Sequence, residues 1–189
     1  MIRIVRAPDC RVMPWKNGGG STTEIAVHPQ DAGMGDFLWR VSMARVEGDG
    51  PFSRFDGIDR TLTILEGAGI RLTVDIVTTE LTQTSSPHAF RGDVPASATL
   101  IDGPVTDLNV MTRRGALAHR VVRTVWPVDV KPGLTSLVVS PHGGCVVTTA
   151  SGRADLEAGD TAIVENEAMK VAPASVGTPV YVVEIAPVG

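Results

Sequence analysis

The feature that most limits how this chain can fold is the alternation of apolar and polar residues with a period of two. Side chains of a strand point to opposite faces in turn, so this alternation predicts β-strands. Turn residues such as EGAG, HGG, SG, AGD and VGTP bound the alternating segments. The segments rich in Val, Ile and Thr are Thr61–Gly67, Ile70–Val77, His119–Val128, Ser136–Pro141, Cys145–Ala150, Asp160–Asn166 and Pro179–Val188.

Helical periodicity is nearly absent from the sequence. The best helix candidate is a short turn around Gly50–Ile58, where Pro and Gly residues argue against a long helix. Many short strands at intervals of about 8–12 residues are typical of an all-β sandwich or barrel. The sequence therefore predicts an all-β fold.

A weak internal repeat indicates how the strands are grouped. ILEGAGIRL followed by AFRGDVPASATL resembles VTTASGRADL followed by EAGDTAIVENEA. Each half predicts a strand, a glycine turn, a strand, a Gly-Asp turn and a further strand. This pattern favours two similar β-lobes that divide near Gly115–Arg120. The alternative is one continuous sandwich in which the similarity is accidental.

Composition and charge exclude several classes of function. The chain has 43% hydrophobic and 20% charged residues, with 20 Gly and 13 Pro, which is a globular composition rich in turns. The 17 basic and 21 acidic residues give a net charge of −4, and no basic block stands out. Nucleic acid and anionic membranes are therefore not expected as partners.

The N-terminus and the cysteines point to a cytoplasmic protein. MIRIVRAPDC lacks the apolar stretch of a signal peptide, and no run reaches the length of a membrane span. Cys10 and Cys145 show no CxxC spacing, so two reduced thiols are expected, with a disulfide as the alternative.

Motifs for nucleotides, metals and nucleophilic catalysis are missing. Lys16 precedes the glycines instead of following them as in a P-loop, and a strand-like segment follows where a dinucleotide fingerprint needs a helix. The four histidines form no HxH, HxxxH or HExxH pair, although distant residues can converge in space. There is no GxSxG, and neither cysteine adjoins a histidine. We expect no cofactor, no metal and no catalytic residue.

The segment MPWKNGGGSTTE, residues 13–24, is the most unusual stretch of the chain. Three consecutive glycines form either a flexible loop or a loop whose backbone is approached closely by another group. In one interpretation Trp15 caps a barrel while Lys16 and Asn17 are solvated. In the other, Trp15 is an apolar wall, and Lys16, Asn17 and glycine N–H groups form a small anion-binding nest.

Two further segments carry polar residues that the strand pattern leaves unexplained. PFSRFDGIDR leads into a strand, and DLNVMTRRG places Asp107, Asn109 and Met111 on one face of another. Alternation alone favours solvent exposure for Asp107 and Asn109. If they instead face a barrel lumen, the carboxylate needs a partner, and Arg60 and Arg113 are the candidates.

Four of these stretches resemble the HutD/Ves family in order and spacing. They are MPWKNGGGSTTEIAV, SMARVEGDGPFSRFDGIDRTLTILEG, HAFRGDVPASA and DLNVMTRRG, and they span residues 13–115. The remainder of the chain is similar only in its strand pattern. The resemblance implies a bicupin: two β-barrel lobes of the cupin superfamily without its usual metal ligands. Residues 1–115 would form the lobe with the pocket, and residues 116–189 the other lobe.

The resemblance also implies a function. Members of the family are often encoded with histidine-degradation enzymes and are thought to bind a small acid, such as urocanate or formylglutamate, and to restrain the pathway. For this chain it implies a non-enzymatic, cytoplasmic regulatory protein whose partner is a small carboxylate metabolite, and a homodimer is compatible with it. One alternative is a metal-independent cupin enzyme, an isomerase or hydrolase, with Glu24, Asp107 or His88 as general base. The other is a stress-induced scaffold of the Ves type.

By resemblance, the ligand site lies in the first lobe beside the glycine loop. Arg60 would bind a carboxylate as a bidentate fork, Asp107 and Asn109 would orient it or accept from a ligand N–H, and His88 and Phe90 would close the side. The predicted ligand-binding residues are Trp15, Lys16, Asn17, Gly18, Gly19, Thr22, Glu24, Arg60, His88, Phe90, Asp107 and Asn109.

Overall fold

The computed structural model describes residues 1–133, 135–175 and 177–189, and nearly all of their regular structure is β. A single turn of 3₁₀ helix, Ala7–Asp9, is the helical element of these residues. The all-β prediction is confirmed. The strands are β1 Ile2–Val5, β2 Arg11–Pro14, β3 Gly20–His28, β4 Trp39–Val46, β5 Gly50–Pro51, β6 Ile58–Glu66, β7 Ile70–Val74, β8 Val77–Leu81, β9 His88–Arg91, β10 Ala96–Leu100, β11 Val105–Arg113, β12 Leu117–Thr124, β13 Val128–Val130, β14 Thr135–Ser140, β15 Cys145–Thr149, β16 Gly152–Leu156, β17 Asp160–Glu165, β18 Met169–Pro173 and β19 Val180–Pro187.

Three local predictions differ from the structure. Segment 70–77 is two strands, because Asp75 adopts a positive φ of 54° and reverses the chain between β7 and β8. Segment 119–128 is also interrupted, because the chain turns after Thr124. The Thr124 hydroxyl accepts a hydrogen bond from the Trp126 N–H and donates one to the Trp126 carbonyl. The helix candidate at 50–58 contains no helix and begins with the short strand β5.

The chain divides into two compact units. The first unit is residues 11–117, and the second unit is residues 1–10 with residues 118–189. The expected division, 1–115 and 116–189, differs from this over residues 1–10 and by two residues at the boundary, 116–117. Residues 1–10 belong to the second unit because β1 pairs antiparallel with β17. Asp160 also accepts hydrogen bonds from the Arg6 side chain, at 2.6 Å, and from the Ala7 N–H, at 3.1 Å.

The first unit contains two antiparallel sheets. The six-stranded sheet has the order β2-β3-β4-β11-β6-β9, and the four-stranded sheet has the order β5-β10-β7-β8. Aliphatic side chains from both sheets pack into one buried cluster, including Leu62 and Ile64 from one and Ile70 and Leu72 from the other. Each such side chain contributes roughly 1.5–3 kcal/mol when fully buried.

The second unit also has a larger and a smaller sheet. Its five-stranded sheet has the order β1-β17-β14-β19-β12, and its four-stranded sheet has the order β13-β18-β15-β16. Val138 of β14 and Val147 of β15 belong to the same buried cluster, so one core joins the two sheets. Cys145 lies in this core, and both Cys10 and Cys145 are free thiols.

The central strand β11 sets the order of the side chains on the inner face of the first unit. It pairs in register with β4 on one side and β6 on the other, so residues of the three strands form rows across the sheet. A bulge in β3 between Glu24 and Ala26 sets the register of this strand against β4. The rows are Arg40, Met111 and Arg60; then Ser42, Asn109 and Leu62; then Ala44, Asp107 and Ile64.

In the part of the chain that the structure describes, no helix has the length and apolarity needed to cross a membrane.

The glycine loop between β2 and β3 is a defined turn. The Trp15 N–H donates to the carbonyl of Gly20 at 2.9 Å and closes the loop. Gly18 has a positive φ of 72°. Gly20 has a φ of 156°, and a Cβ atom there would overlap the carbonyl oxygen of Arg45 on the neighbouring strand β4. Two of the three glycines therefore have a conformational requirement, which favours a shaped loop over a flexible one.

We expect Gly20→Ala to lower the free energy of unfolding by more than about 1 kcal/mol, because the new methyl group meets backbone that cannot move aside. Gly19→Ala is the matched control: its Cβ would meet only the Asn17 side chain, at 3.5 Å, so the change should stay within about 0.5 kcal/mol. Urea denaturation of both variants measures the difference. Equal effects would contradict this account of the loop.

Candidate functional site

The first unit contains a cavity of about 580 Å³. Residues from β2, β3, β4, β6 and β11 line it, together with the glycine loop and the loops at Met34 and Phe52. Its volume lies within the range of small-molecule sites, which is about 300–1,000 Å³. The cavity lies next to the aliphatic core, on the same face of the six-stranded sheet, at the row that carries Arg40 and Arg60.

One wall of the cavity is apolar. The indole of Trp15 is fixed there, because its Nε1–H donates to the Thr22 hydroxyl at 2.8 Å. Phe52 and Phe55 follow the short strand β5 and line the same cavity. Met13 and Met34 also line the cavity, and Met111 lines it between Arg40 and Arg60. Aromatic rings and thioethers are well suited to pack against a planar or apolar ligand.

Arg60 on β6 is the centre of the polar floor. Its side chain is almost fully buried, and its Nε–H donates to the Asn109 Oδ1 at 2.8 Å. The guanidinium lies 4.6 Å from the ring centroid of Phe52 and 5.4 Å from that of Phe90, which are cation–π contacts. Burial lowers the pKa of Arg60 to about 10, so the side chain remains a cation at neutral pH.

The two terminal nitrogens of Arg60 have no hydrogen-bond partner among the described residues. Since Nε is held from one side and the side chain lines the cavity, these N–H groups are available to an acceptor in the cavity. Planar pairs of N–H donors match the two oxygens of a carboxylate.

Arg40 on β4 is a second buried arginine of the cavity, and it was not among the predicted site residues. Its Nε–H donates to the Glu24 Oε2 at 2.8 Å, so Glu24 holds Arg40 as Asn109 holds Arg60. The signal for Arg40 was present in the sequence. In WRVSMARV the residues Arg40 and Ser42 alternate with Trp39 and Val41, which is the same pattern that singled out Asp107 and Asn109.

Asp107 and Asn109 on β11 are buried, so the solvent exposure favoured by alternation alone is wrong. Leu108, which lies between them, and Val110, which follows Asn109, are buried as well. Both faces of β11 are therefore covered. Asn109 lines the cavity, whereas Asp107 lies one row deeper, beside Ala44. Asn109 Nδ2 donates to Asp107 Oδ1, which connects Asp107 through Asn109 to Arg60.

Asp107 is an unusual carboxyl group. Its Oδ2 has no hydrogen-bond partner within the described residues, and the side chain is completely buried. Burial raises the pKa of Asp107 to about 7, and the positive charge of Arg60 opposes this effect only in part. The other candidate partner, Arg113, donates instead to the carbonyl of Gly35 at 2.7 Å.

The predicted site residues fall into two groups. Trp15, Lys16, Asn17, Thr22, Arg60 and Asn109 line the cavity. Gly18, Gly19, Glu24, His88, Phe90 and Asp107 are not in its lining, although Glu24, Phe90 and Asp107 are connected to its two arginines. His88 contacts the ring of Phe90 at a centroid distance of 6.1 Å.

Lining residues that sequence reasoning missed come mainly from β4 and from the loops. Besides Arg40, they include Ser42 and the side chains of Phe52 and Phe55. The sequence marks PFSRFDGIDR as a segment with unexplained polar residues, but its pattern predicts no site role for Phe52 or Phe55.

The donor set of the cavity does not fit the metal that cupin folds usually carry. The polar floor consists of two arginines, a serine and an asparagine. Among the described residues, no three His, Cys, Asp or Glu side chains come together to form a metal-binding group. What the arrangement offers is cationic N–H donors below an apolar wall, which suits an organic anion.

We expect Asp107→Asn to change how stability depends on pH. Between the ordinary pKa of 3.8 and a folded value of about 7, folded Asp107 retains a proton that the unfolded chain releases. This group therefore favours the folded state at low pH, and its contribution is lost as pH rises through about 4 to 7. Relative to Asp107→Asn, the wild type should lose roughly 2–4 kcal/mol over this range, at about 1.4 kcal/mol per pKa unit. Urea denaturation of both proteins from pH 4 to pH 8 measures the difference, and parallel curves would show that Asp107 titrates normally.

Solved structures share this fold over the whole chain. HutD from Pseudomonas fluorescens, determined in a formate condition, has a TM-score of 0.86 and 32% identity and covers 100% of both chains. Oxalate decarboxylase from Lactobacillus farciminis has a TM-score of 0.69 at 9% identity, covering 98% of this chain and 86% of that chain, which is a likeness of fold alone. The predicted bicupin fold is confirmed.

Sequence comparison identifies relatives of the same kind. Protein Ves of Citrobacter koseri is 42% identical over 117 residues, which are 60% of each chain. An uncharacterized 21.2 kDa protein in the hutC 3′ region of Pseudomonas putida is 39% identical over 110 residues, which are 58% of this chain and 57% of that protein. These alignments thus span less than two thirds of the relatives. The family model of HutD, in contrast, matches residues 7–179. The chain belongs to the HutD family.

Proposed function

We propose that this protein is a non-enzymatic, cytoplasmic binding protein for a small carboxylate, and that it regulates histidine utilisation. The observation that carries the proposal is Arg60: a buried cation that lines a cavity of about 580 Å³ and whose terminal nitrogens have no hydrogen-bond partner in the described part of the chain. Asp107 is linked to Arg60 only through Asn109, so a ligand carboxylate that pairs directly with this buried cation would compensate for the cost of its burial.

The apolar wall supports an acid whose body is flat or apolar. The fixed indole of Trp15 and the rings of Phe52 and Phe55 would pack against such a body while Arg60 binds the carboxylate. Urocanate combines a planar conjugated ring system with one carboxylate. Formylglutamate is the second candidate, because it offers two carboxylates to a floor that contains Arg40 as well as Arg60.

The family context supports the link to histidine utilisation. One relative lies in the hutC 3′ region of Pseudomonas putida, and HutD from Pseudomonas fluorescens has a similar structure.

The geometry favours binding over turnover. The general bases considered for an enzyme were Glu24, Asp107 and His88, and none of the three lines the cavity. A general base must come within about 2.6–3.2 Å of the proton that it removes, directly or through one water. Glu24 is moreover engaged in an ion pair with Arg40 at 2.8 Å.

A thermal-shift screen tests the proposal. Wild type should be stabilised by at least one of urocanate, formylglutamate, formate, glutamate, histidine and imidazole propionate, by roughly 2.7 kcal/mol at one hundred times the dissociation constant. Arg60→Ala and the milder Arg60→Lys should lose this stabilisation. Arg71→Ala is the matched control, because Arg71 is exposed, pairs with Glu80 at 3.6 Å and lies outside the cavity.

Two outcomes would contradict the proposal. If Arg60→Lys responded to the acids as wild type does, Arg60 would not be the carboxylate-binding group. If wild type converted a bound acid, which the change in urocanate absorbance or proton NMR would reveal, the protein would be an enzyme.

A further inference from the structure

We propose that Arg40 is a second anion-binding residue of the cavity, positioned by Glu24, and that it makes the site select acids that carry a second anionic group. The inference rests on the proposed carboxylate-binding function and specifies which part of the ligand each arginine would recognise. Arg60 holds the first carboxylate, and Arg40 holds the second.

The register of the sheet places the two arginines at corresponding positions. Arg40 and Arg60 both pair with Met111, one from each side, and both line the cavity. Neighbouring strands are about 4.8 Å apart, so the two backbones are separated by about 10 Å. Two flexible side chains that start at this separation can bind the two ends of one small acid.

Each arginine is anchored by the same atom. Nε–H of Arg40 donates to Glu24 and Nε–H of Arg60 donates to Asn109, both at 2.8 Å. Within the described residues the terminal nitrogens of both arginines have no hydrogen-bond partner. Anchoring through Nε leaves the pair of terminal N–H groups free to form a fork for a carboxylate.

The charged side chains that line the cavity are cationic, which favours a ligand with two negative charges. Lys16, Arg40 and Arg60 line the cavity, whereas Glu24 and Asp107 are outside the lining. Glu24 pairs with Arg40, and Asp107 is linked to Arg60 through Asn109. Burial lowers the pKa of Arg60, and the positive charge of Arg40 adds to this effect, as expected for two cations that line one cavity. Two anionic groups of a ligand would relieve the repulsion between these cations more completely than one.

Glu24 therefore has a role different from ligand contact. Its carboxylate lies beside Arg40 and fixes the direction of the guanidinium, so Glu24 is a positioning residue. A bond from Glu24 to the ligand is not needed, and its charge would repel an acid in direct contact.

The experiment uses two acids of equal size, glutarate and its monoamide, with isothermal titration calorimetry on the intact chain. Wild type should bind glutarate about tenfold more tightly than the monoamide, which corresponds to about 1.4 kcal/mol. Arg40→Gln should reduce this preference to about twofold or less, and Arg40→Lys should retain part of it because the charge remains. Glu24→Gln should also reduce the preference, because the guanidinium loses its anchor. Arg71→Gln is the control, since its exposed ion pair lies outside the cavity.

The preference between the two acids is a readout that a purely structural role would not change. If Arg40→Gln weakened both acids by the same factor, or if wild type did not prefer glutarate, Arg40 would not bind a second anionic group. A third result separates the two proposals: Arg60→Lys abolishes binding of both acids, but Arg40→Gln leaves both unaffected. That result would support the carboxylate site at Arg60 and contradict only the role inferred here for Arg40. Far-ultraviolet circular dichroism of each variant identifies loss of folding, and Arg40→Lys then replaces Arg40→Gln.

Discussion

The pairing of β11 with β4 and β6 is the constraint on which the cavity depends. These three antiparallel strands decide which side chains lie on the inner face, and a shift of one residue in either pairing would exchange that face for the other. In this register Leu62 and Ile64 of β6 lie in the aliphatic core. Arg60, two residues before Leu62 and on the same face of β6, lies in the cavity floor. Stability of the core and placement of the site therefore have one common cause.

The floor of the cavity shows how buried polar groups are accommodated beside an apolar core. Asn109 accepts from Arg60 and donates to Asp107, so one amide satisfies a cation on one side and a carboxyl group on the other. The accommodation is incomplete, because Asp107 Oδ2 has no partner among the described residues. An unsatisfied buried polar atom costs roughly 1–3 kcal/mol, and such costs concentrate at functional sites.

Sequence patterns predicted the strands well and the burial of polar residues poorly. Alternation identifies the two faces of a strand but does not tell which face is covered, so Asp107 was expected in solvent although both faces of β11 are buried. The same limit applies to Arg40 and Ser42, which alternate with Trp39 and Val41 although both faces of β4 are buried at these positions. The placement of β1 beside β17 depends on a contact between residues more than 150 positions apart, which no local pattern contains. The resemblance to the HutD/Ves family supplied the bicupin fold that local patterns alone left as a sandwich or a barrel.

The choice of arginine for the cavity floor follows from burial. Burial lowers the pKa of Arg60 to about 10, which still leaves it fully charged at neutral pH. A lysine has an ordinary pKa of about 10.4, and a similar reduction of about 2–3 units would bring it close to 8, so part of its charge would be lost. Lysine would also offer no planar fork and no flat face to the rings of Phe52 and Phe90. A guanidinium keeps its charge in this environment, makes cation–π contacts with two rings and still has terminal N–H donors for a ligand in the cavity.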